Sequence, residues 1–174
     1  MIKPFDVTVL SGAGKHFSGE SDLVVSDFQR EIADILWKVS YAGNIVRKDG
    51  ITALENYYCY LLEEENCQAT DRFFNEGLCL IIDGTDEEYV EDILSARILV
   101  DGADTASGYK KYLIMRGLWC IQVGVNPRVR DVQLFSFIPE RHRETIRKLV
   151  EDLNQKREVR LPESRCPDIT SVWD

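Results

Sequence analysis

The chain has 174 residues, of which 44% are hydrophobic and 29% are charged, and its formal net charge at pH 7 is -9. This length fits one compact domain, and this composition is that of an ordinary globular protein. The excess of negative charge argues against a nucleic-acid binder, which needs a basic face to displace counterions, and against docking on an anionic membrane.

The cysteine pattern argues against a metal site. The five cysteines contain no C-x-x-C pair, and only two histidines, His16 and His142, accompany them. Because zinc needs closely spaced ligand pairs, neither a metal nor another cofactor is predicted, and the thiols are expected to be buried or idle in a reducing cytosol. The N-terminus lacks the long apolar stretch of a signal peptide, and no window approaches the ~20 apolar residues that cross a bilayer. The sequence predicts a soluble, cytoplasmic chain with no membrane insertion.

The N-terminal part changes character at about residue 22. Residues 1–21 are rich in glycine and serine and lack helical periodicity, so they are predicted to form a short irregular segment in which only Val7–Leu10 suits an extended piece. From Asp22 onward, apolar residues recur with the period of a helix. This pattern predicts a long first helix that ends near Arg47 and Lys48, where cations suit a helix C-terminus.

Three further helices are predicted in the middle of the chain. The second runs from Ile51 and closes at about residues 63–66, and the fourth is marked by apolar residues between positions 90 and 98. The third, capped by Thr70 and Asp71, is apolar nearly all round, so we expect it to be central and buried. Gly84 is predicted to end it in a left-handed conformation, after which Thr85 and Glu88 are predicted to form a capping box.

The C-terminal half adds three helices. The small-residue stretch DGADTASG, residues 101–108, predicts a linker, and the fifth helix that follows is stopped by Gly124. Asn126-Pro127 predicts the start of a sixth helix, and Pro139 that of a seventh. The fold class is therefore predicted to be all-α: a compact bundle of about six or seven helices, forming a single domain over residues 22–159, with a loose tail over residues 160–174.

One motif invites an enzymatic interpretation and then contradicts it. The stretch IIDGTD contains D-G-T, the last three residues of the D-x-D-G-T motif. Phosphoryl-transfer enzymes of the haloacid dehalogenase type use this motif to present a nucleophilic aspartate. The nucleophile lies two residues before Asp83, where this chain has Ile81, and isoleucine cannot attack phosphorus. His16 has no partner at a diagnostic spacing for nucleophilic catalysis, and His142 lies on a strongly charged helix, so both histidines are expected to be solvated surface residues. We therefore expect no catalytic residue and no small-molecule substrate.

Three stretches of the chain together resemble one known family. They are YAGNIVRKDGITALEN, FFNEGLCLIIDGTDEEYVEDILSARI and RGLWCIQVGVNPRVRDVQLFSFIPERHRE. Their order and register are similar to those of the cytoplasmic domain of the flagellar motor stator protein MotA, in the MotA/TolQ/ExbB proton-channel family. The family pattern R-x-x-G-[hydrophobic]-x-A-L-E matches from Arg47 to Glu55, L-x-x-D-G-T-D matches from Leu80 to Asp86, and G-x-N-P-R matches from Gly124 to Arg128.

The resemblance implies a stator module without its channel. In the family, two membrane helices precede the first stretch and two more separate the second from the third; here a polar segment and residues 101–108 stand in their places. The family's module meets the rotor switch protein, FliG, through charged groups, which points to Arg47 and Glu55 as the contact with that protein or with stator components. Considered alone, the same two residues are explained by Arg47 complementing a helix terminus and Glu55 facing water.

The sequence leaves two questions open, one about the kind of protein and one about four aromatic residues. The chain is either a motility protein, an adaptor or regulatory protein that kept the fold without a motility role, or an artificial fusion of two cytoplasmic halves. Trp37, Tyr57, Tyr58 and Tyr60 form either an exposed aromatic patch suited to an interface or a part of the core.

Overall fold

The computed structural model describes residues 25–63, 69–102 and 105–157. Within these residues all regular structure is helical: α1 (Asp27–Asp49), a 3-10 turn (Ile51–Ala53), α2 (Leu54–Glu63), α3 (Ala69–Ile82), α4 (Glu87–Asp101), α5 (Ala106–Gln122), α6 (Pro127–Ser136) and α7 (Glu140–Lys156). The predicted all-α class is confirmed. The predicted irregular segment 1–21 with Val7–Leu10 and His16, the close of the second helix at residues 64–66, and the tail 160–174 lie outside the described residues.

The first helix begins later than the apolar pattern suggests. Its N-cap is Ser26, whose hydroxyl accepts a hydrogen bond from the Gln29 N–H at 3.3 Å, while the Gln29 side-chain oxygen accepts from the Ser26 N–H at 3.0 Å. This reciprocal capping box fixes the start of α1 at Asp27, five residues after the predicted Asp22.

Helix α5 lies at the centre of the bundle and packs against α1, α3, α4 and α6. Two glycines allow its close approach to its neighbours. A Cβ added at Gly117 would lie 2.6 Å from Val39 Cγ1 of α1, and one added at Gly77 of α3 would lie 2.2 Å from Leu118 Cδ1. The expectation that α3 is buried is confirmed, and α5 shares the interior of the bundle with it, because glycine at these two contacts lets α5 pack closely on both sides.

The aromatic residues near the first corner belong to the core. Trp37, Tyr57 and Tyr58 are buried, and Tyr60 is half-buried. The Tyr41 ring packs between two of them, with centroids 5.3 Å from Trp37 and 5.0 Å from Tyr57. Among the residues that the structure describes, these side chains therefore complete the core instead of forming an exposed patch.

Two helix ends have the same construction. Gly84 has φ 73° and Gly124 has φ 75°, a conformation that strains residues with a Cβ. At the first, the Thr85 N–H bonds to the Leu80 carbonyl at 3.0 Å; at the second, the Val125 N–H bonds to the Cys120 carbonyl at 2.9 Å. These are Schellman motifs, and both predicted helix stops are confirmed.

Two predicted boundaries differ from the structure. The N-cap of α4 is Asp86, without a side-chain capping bond, so the predicted capping box of Thr85 and Glu88 is wrong; Thr85 instead closes the Schellman motif through its own N–H. The linker is shorter than residues 101–108, because Thr105 caps α5 by accepting from the Gly108 N–H at 2.9 Å. Ala106 and Ser107 therefore belong to the first turn of α5.

Candidate functional site

Three helix corners meet at one end of the bundle, where α1, α3 and α5 all end. They comprise residues 47–55, 83–88 and 122–128, and two clefts join them. Gln122 Nε2 also donates to the Thr85 carbonyl at 2.6 Å, which ties the end of α5 to the α3–α4 corner. We call these three segments the corner end. Each corner comes from one of the three stretches that carry the family resemblance, so the fold brings those stretches together.

The first corner depends on Gly50. Its φ of 87° allows the chain to leave α1, and its N–H bonds to the Val46 carbonyl at 2.9 Å. Arg47 lies exposed in the last turn of α1, and Glu55 lies half-buried in the first turn of α2. The two predicted contact residues therefore lie on either side of one tight corner.

The first cleft, of about 380 Å³, lies between α1 and the α5–α6 corner. Its charged lining residues are two cations, Arg47 and Arg130, and its walls include the apolar side chains of Val46, Ile121 and Pro127. We call it the arginine cleft. Its charge is opposite to that of the protein as a whole.

Arg130 is the residue in this cleft that sequence reasoning missed. It is only 2% exposed. Its Nη2 donates to Ser40 Oγ at 2.9 Å, and its Nη2 and Nε both donate to Asp131 Oδ1, at 3.0 and 3.1 Å. Its Nη1 lies over Gly43, where an added Cβ would come within 2.0 Å of that nitrogen. The guanidinium can take this position only because residue 43 has no side chain.

The second cleft, of about 600 Å³, lies between the 3-10 turn and the α3–α4 corner. Its charged lining residues are the exposed acids Asp86, Glu87 and Glu88, which precede or form the first turn of α4, where the positive end of the helix dipole stabilises them. We call it the acidic cleft. Gln122 also lines it, and since only an amide NH₂ can donate to the Thr85 carbonyl, the Gln122 Oε1 is left buried with no hydrogen-bond partner among the residues that the structure describes.

The reactive groups near this end are held in unreactive forms. Burial raises the pKa of the Cys79 thiol to about 11, and the negative charge and hydrogen bonding of Asp83 add to the effect. A thiol with such a pKa is a poor nucleophile at neutral pH. Among the described residues, no three or more His, Cys, Asp or Glu side chains are grouped so as to hold a metal ion.

The described histidine has a packing role. His142 was expected to be a solvated surface residue, but it is half-buried, and its Nδ1 accepts from Gln29 Nε2 at 2.9 Å. Burial and the neighbouring charge of Arg141 lower the pKa of His142. The neutral ring therefore links α7 to the start of α1, because an Nδ1 that accepts a hydrogen bond cannot carry a proton.

Comparison of the chain with models of known families, with curated proteins and with solved structures finds no match. In residues 25–63, 69–102 and 105–157, no helix has the combined length and apolar character that spanning a bilayer requires. The stator resemblance is thus a hypothesis that rests on the three sequence stretches.

Proposed function

We propose that the protein is a cytoplasmic, non-enzymatic module of the stator type that acts by protein–protein contact and conducts no protons. The observation that carries the proposal is the meeting of three sequence-distant stretches, all similar to the same family, at the corner end. Corners that face a common partner have to lie together in this way, whereas a purely structural role would not require their joint exposure.

The charge pattern of the corner end supports a protein partner. The arginine cleft and the acidic cleft have opposite charge, and Ile51 and Val123 expose apolar side chains at the same end, with exposed fractions of 39% and 43%. Charges of both signs fix the orientation of an encounter and steer it, and they contribute more to specificity than to raw affinity. A partner with the opposite pattern, such as the rotor switch protein (FliG-like) or another stator component, fits this surface.

The proposal assigns the contact to Arg47 and Glu55. The double reversal Arg47→Glu/Glu55→Lys keeps the net charge and inverts the pattern at the first corner. We expect it to weaken binding of the purified rotor switch protein by roughly tenfold or more in calorimetric titration, because like charges then face each other, while the circular dichroism spectrum stays that of the native protein.

A matched control reverses a pair far from the corners. Glu144 and Lys148 form an exposed ion pair on α7 at 2.9 Å, so Glu144→Lys/Lys148→Glu makes an equivalent change on another surface. It should bind as the native protein does. Equal affinity of the Arg47/Glu55 reversal and the native protein would remove the assignment, and a native protein that does not bind the switch protein would leave the adaptor role as the remaining interpretation.

A further inference from the structure

The arginine cleft combines charge and shape in a way that favours a carboxylate. Two guanidinium groups line it, no acidic side chain of the described residues does, and apolar side chains form its walls. A glutamate or aspartate side chain that enters such a cleft places its methylene groups on Val46, Ile121 and Pro127 and its carboxylate between the cations. Guanidinium groups suit this ligand, because their N–H groups match the geometry of carboxylate oxygens.

Arg130 is preorganised for this contact. Its bonds to Ser40 and Asp131 fix the guanidinium through Nε and Nη2, while the hydrogen bonds found among the described residues leave Nη1 unused. Nη1 lies over Gly43, which itself lines the cleft. A side chain that is already ordered loses little further rotamer freedom on binding, in contrast to the exposed Arg47. The pairing with Asp131 compensates for the burial of the charge and uses only Nε and Nη2.

We propose that the arginine cleft binds a carboxylate side chain from an acidic segment of the partner protein, with Arg130 as the fixed inner anchor and Arg47 as the mobile outer one. This rests on the proposed function, since it specifies which chemistry of the partner enters the corner end. Gly43 is part of the site because it makes room for the anchoring nitrogen.

The first arm of the test uses the protein alone with glutarate as the carboxylate probe. Glutarate titrated into the full chain at constant ionic strength should produce saturable NMR shifts at the Gly43 and Gly124 amides and at the Arg130 side-chain N–H. Arg130→Lys keeps the charge but loses Nη1, so the apparent affinity should fall roughly tenfold. Lys148→Ala, which removes an exposed cation on α7, outside both the cleft and the corner end, should have no effect.

A second variant, Arg47→Gln, serves as the test if Arg130→Lys does not fold, because Arg47 is exposed and its replacement leaves the core unchanged. Arg47→Gln should also weaken glutarate binding. Shifts that chloride reproduces at equal concentration, a stronger response to inorganic phosphate than to glutarate, or unchanged affinity in the folded variants would overturn the proposal.

The second arm separates this proposal from the proposed function. Arg130→Lys and native protein are compared for binding of the purified rotor switch protein. If glutarate binding depends on Arg130 while the switch protein binds neither form, the rotor assignment fails and the carboxylate site is retained. If the switch protein binds both forms equally, the partner does not use the cleft, and the assignment of its occupant is wrong.

Discussion

Replacement of Gly117 by alanine tests the close contact between α1 and α5. The added Cβ would lie 2.6 and 2.7 Å from the two methyl carbons of Val39, whereas carbon atoms pack at about 3.5–4.0 Å. Val39 is fully buried and, being β-branched, is stiff about χ1, so it cannot move aside easily. Overpacking of this kind costs about 1–3 kcal/mol, and the better helix propensity of alanine returns about 1 kcal/mol. Because Val39 is rigid, the cost lies toward the upper end of that range, so we expect the free energy of unfolding to fall by about 2 kcal/mol.

Urea denaturation followed by circular dichroism measures this loss. A double-mutant cycle with Val39→Ala isolates the contact, because that substitution removes the two methyl groups that the new side chain meets. The double variant should lose less than the sum of the single losses, by about 1 kcal/mol. Gly77→Ala is the matched control: its nearest atom is the end of the flexible Leu118 side chain, so its loss should be smaller. Additive losses, or a Gly117→Ala variant as stable as the native protein, would refute the close approach of α1 and α5.

Three further predictions concern buried polar groups. Tyr57→Phe should raise the free energy of unfolding by about 1 kcal/mol in the same urea assay, because it removes a buried hydroxyl that has no hydrogen-bond partner in the described part of the chain. The pKa of His142 in the folded protein lies below its ordinary value of 6.5. As the pH falls, the unfolded chain therefore takes up the proton first. Stability should be lost from about pH 6.5 down to the lower pKa of the folded state. His142→Gln should flatten this slope in urea titrations across that range; an unchanged slope would contradict the assignment. Native Cys79, with a pKa raised to about 11, should resist iodoacetamide at mildly alkaline pH and react once the chain is unfolded, as peptide mass spectrometry would show.

Local sequence signals predicted the corners well. Asn126 Oδ1 accepts from the Arg128 N–H at 3.0 Å, and Pro127 occupies the first helical position, as the Asn-Pro pair predicted. Gly84 and Gly124 end their helices because a positive φ is a local requirement of the backbone. These features depend on a few neighbouring residues and can therefore be predicted from the sequence without knowledge of the packing.

The burial of Arg130 could not be predicted from α6 by itself. The apolar residues of this short helix include Val129 and Val132, which a helical pattern would place in the core. They are 57% and 72% exposed, while Arg130 is buried. What decides its burial is Gly43, a residue of a different helix, and this dependence on tertiary contact is invisible to helical periodicity.

One signal in the sequence would have found Arg130. Three pairs of residues have the same separation along the chain: Gly77 and Gly117, Gly84 and Gly124, and Leu94 and Leu134. In the first pair both glycines lie at close helix contacts, and in the second both end a helix with a positive φ. At this separation, Arg130 corresponds to Val90, which is buried in α4. A cation at the position of a core valine indicates a buried charge that needs partners.

The proposed contact at the corner end is tested most directly by mapping whether and where the rotor switch protein binds. The backbone amides of Gly50, Gly84 and Gly124 report on the three corners separately, so a ¹⁵N-labelled sample titrated with the purified rotor switch protein locates the contact by NMR. If the corner end is the contact surface, all three glycine signals shift or broaden while signals from the outer face of α7 stay in place. Changes confined to α7 or to the exposed face of α4, with the three glycine signals unchanged, would contradict it.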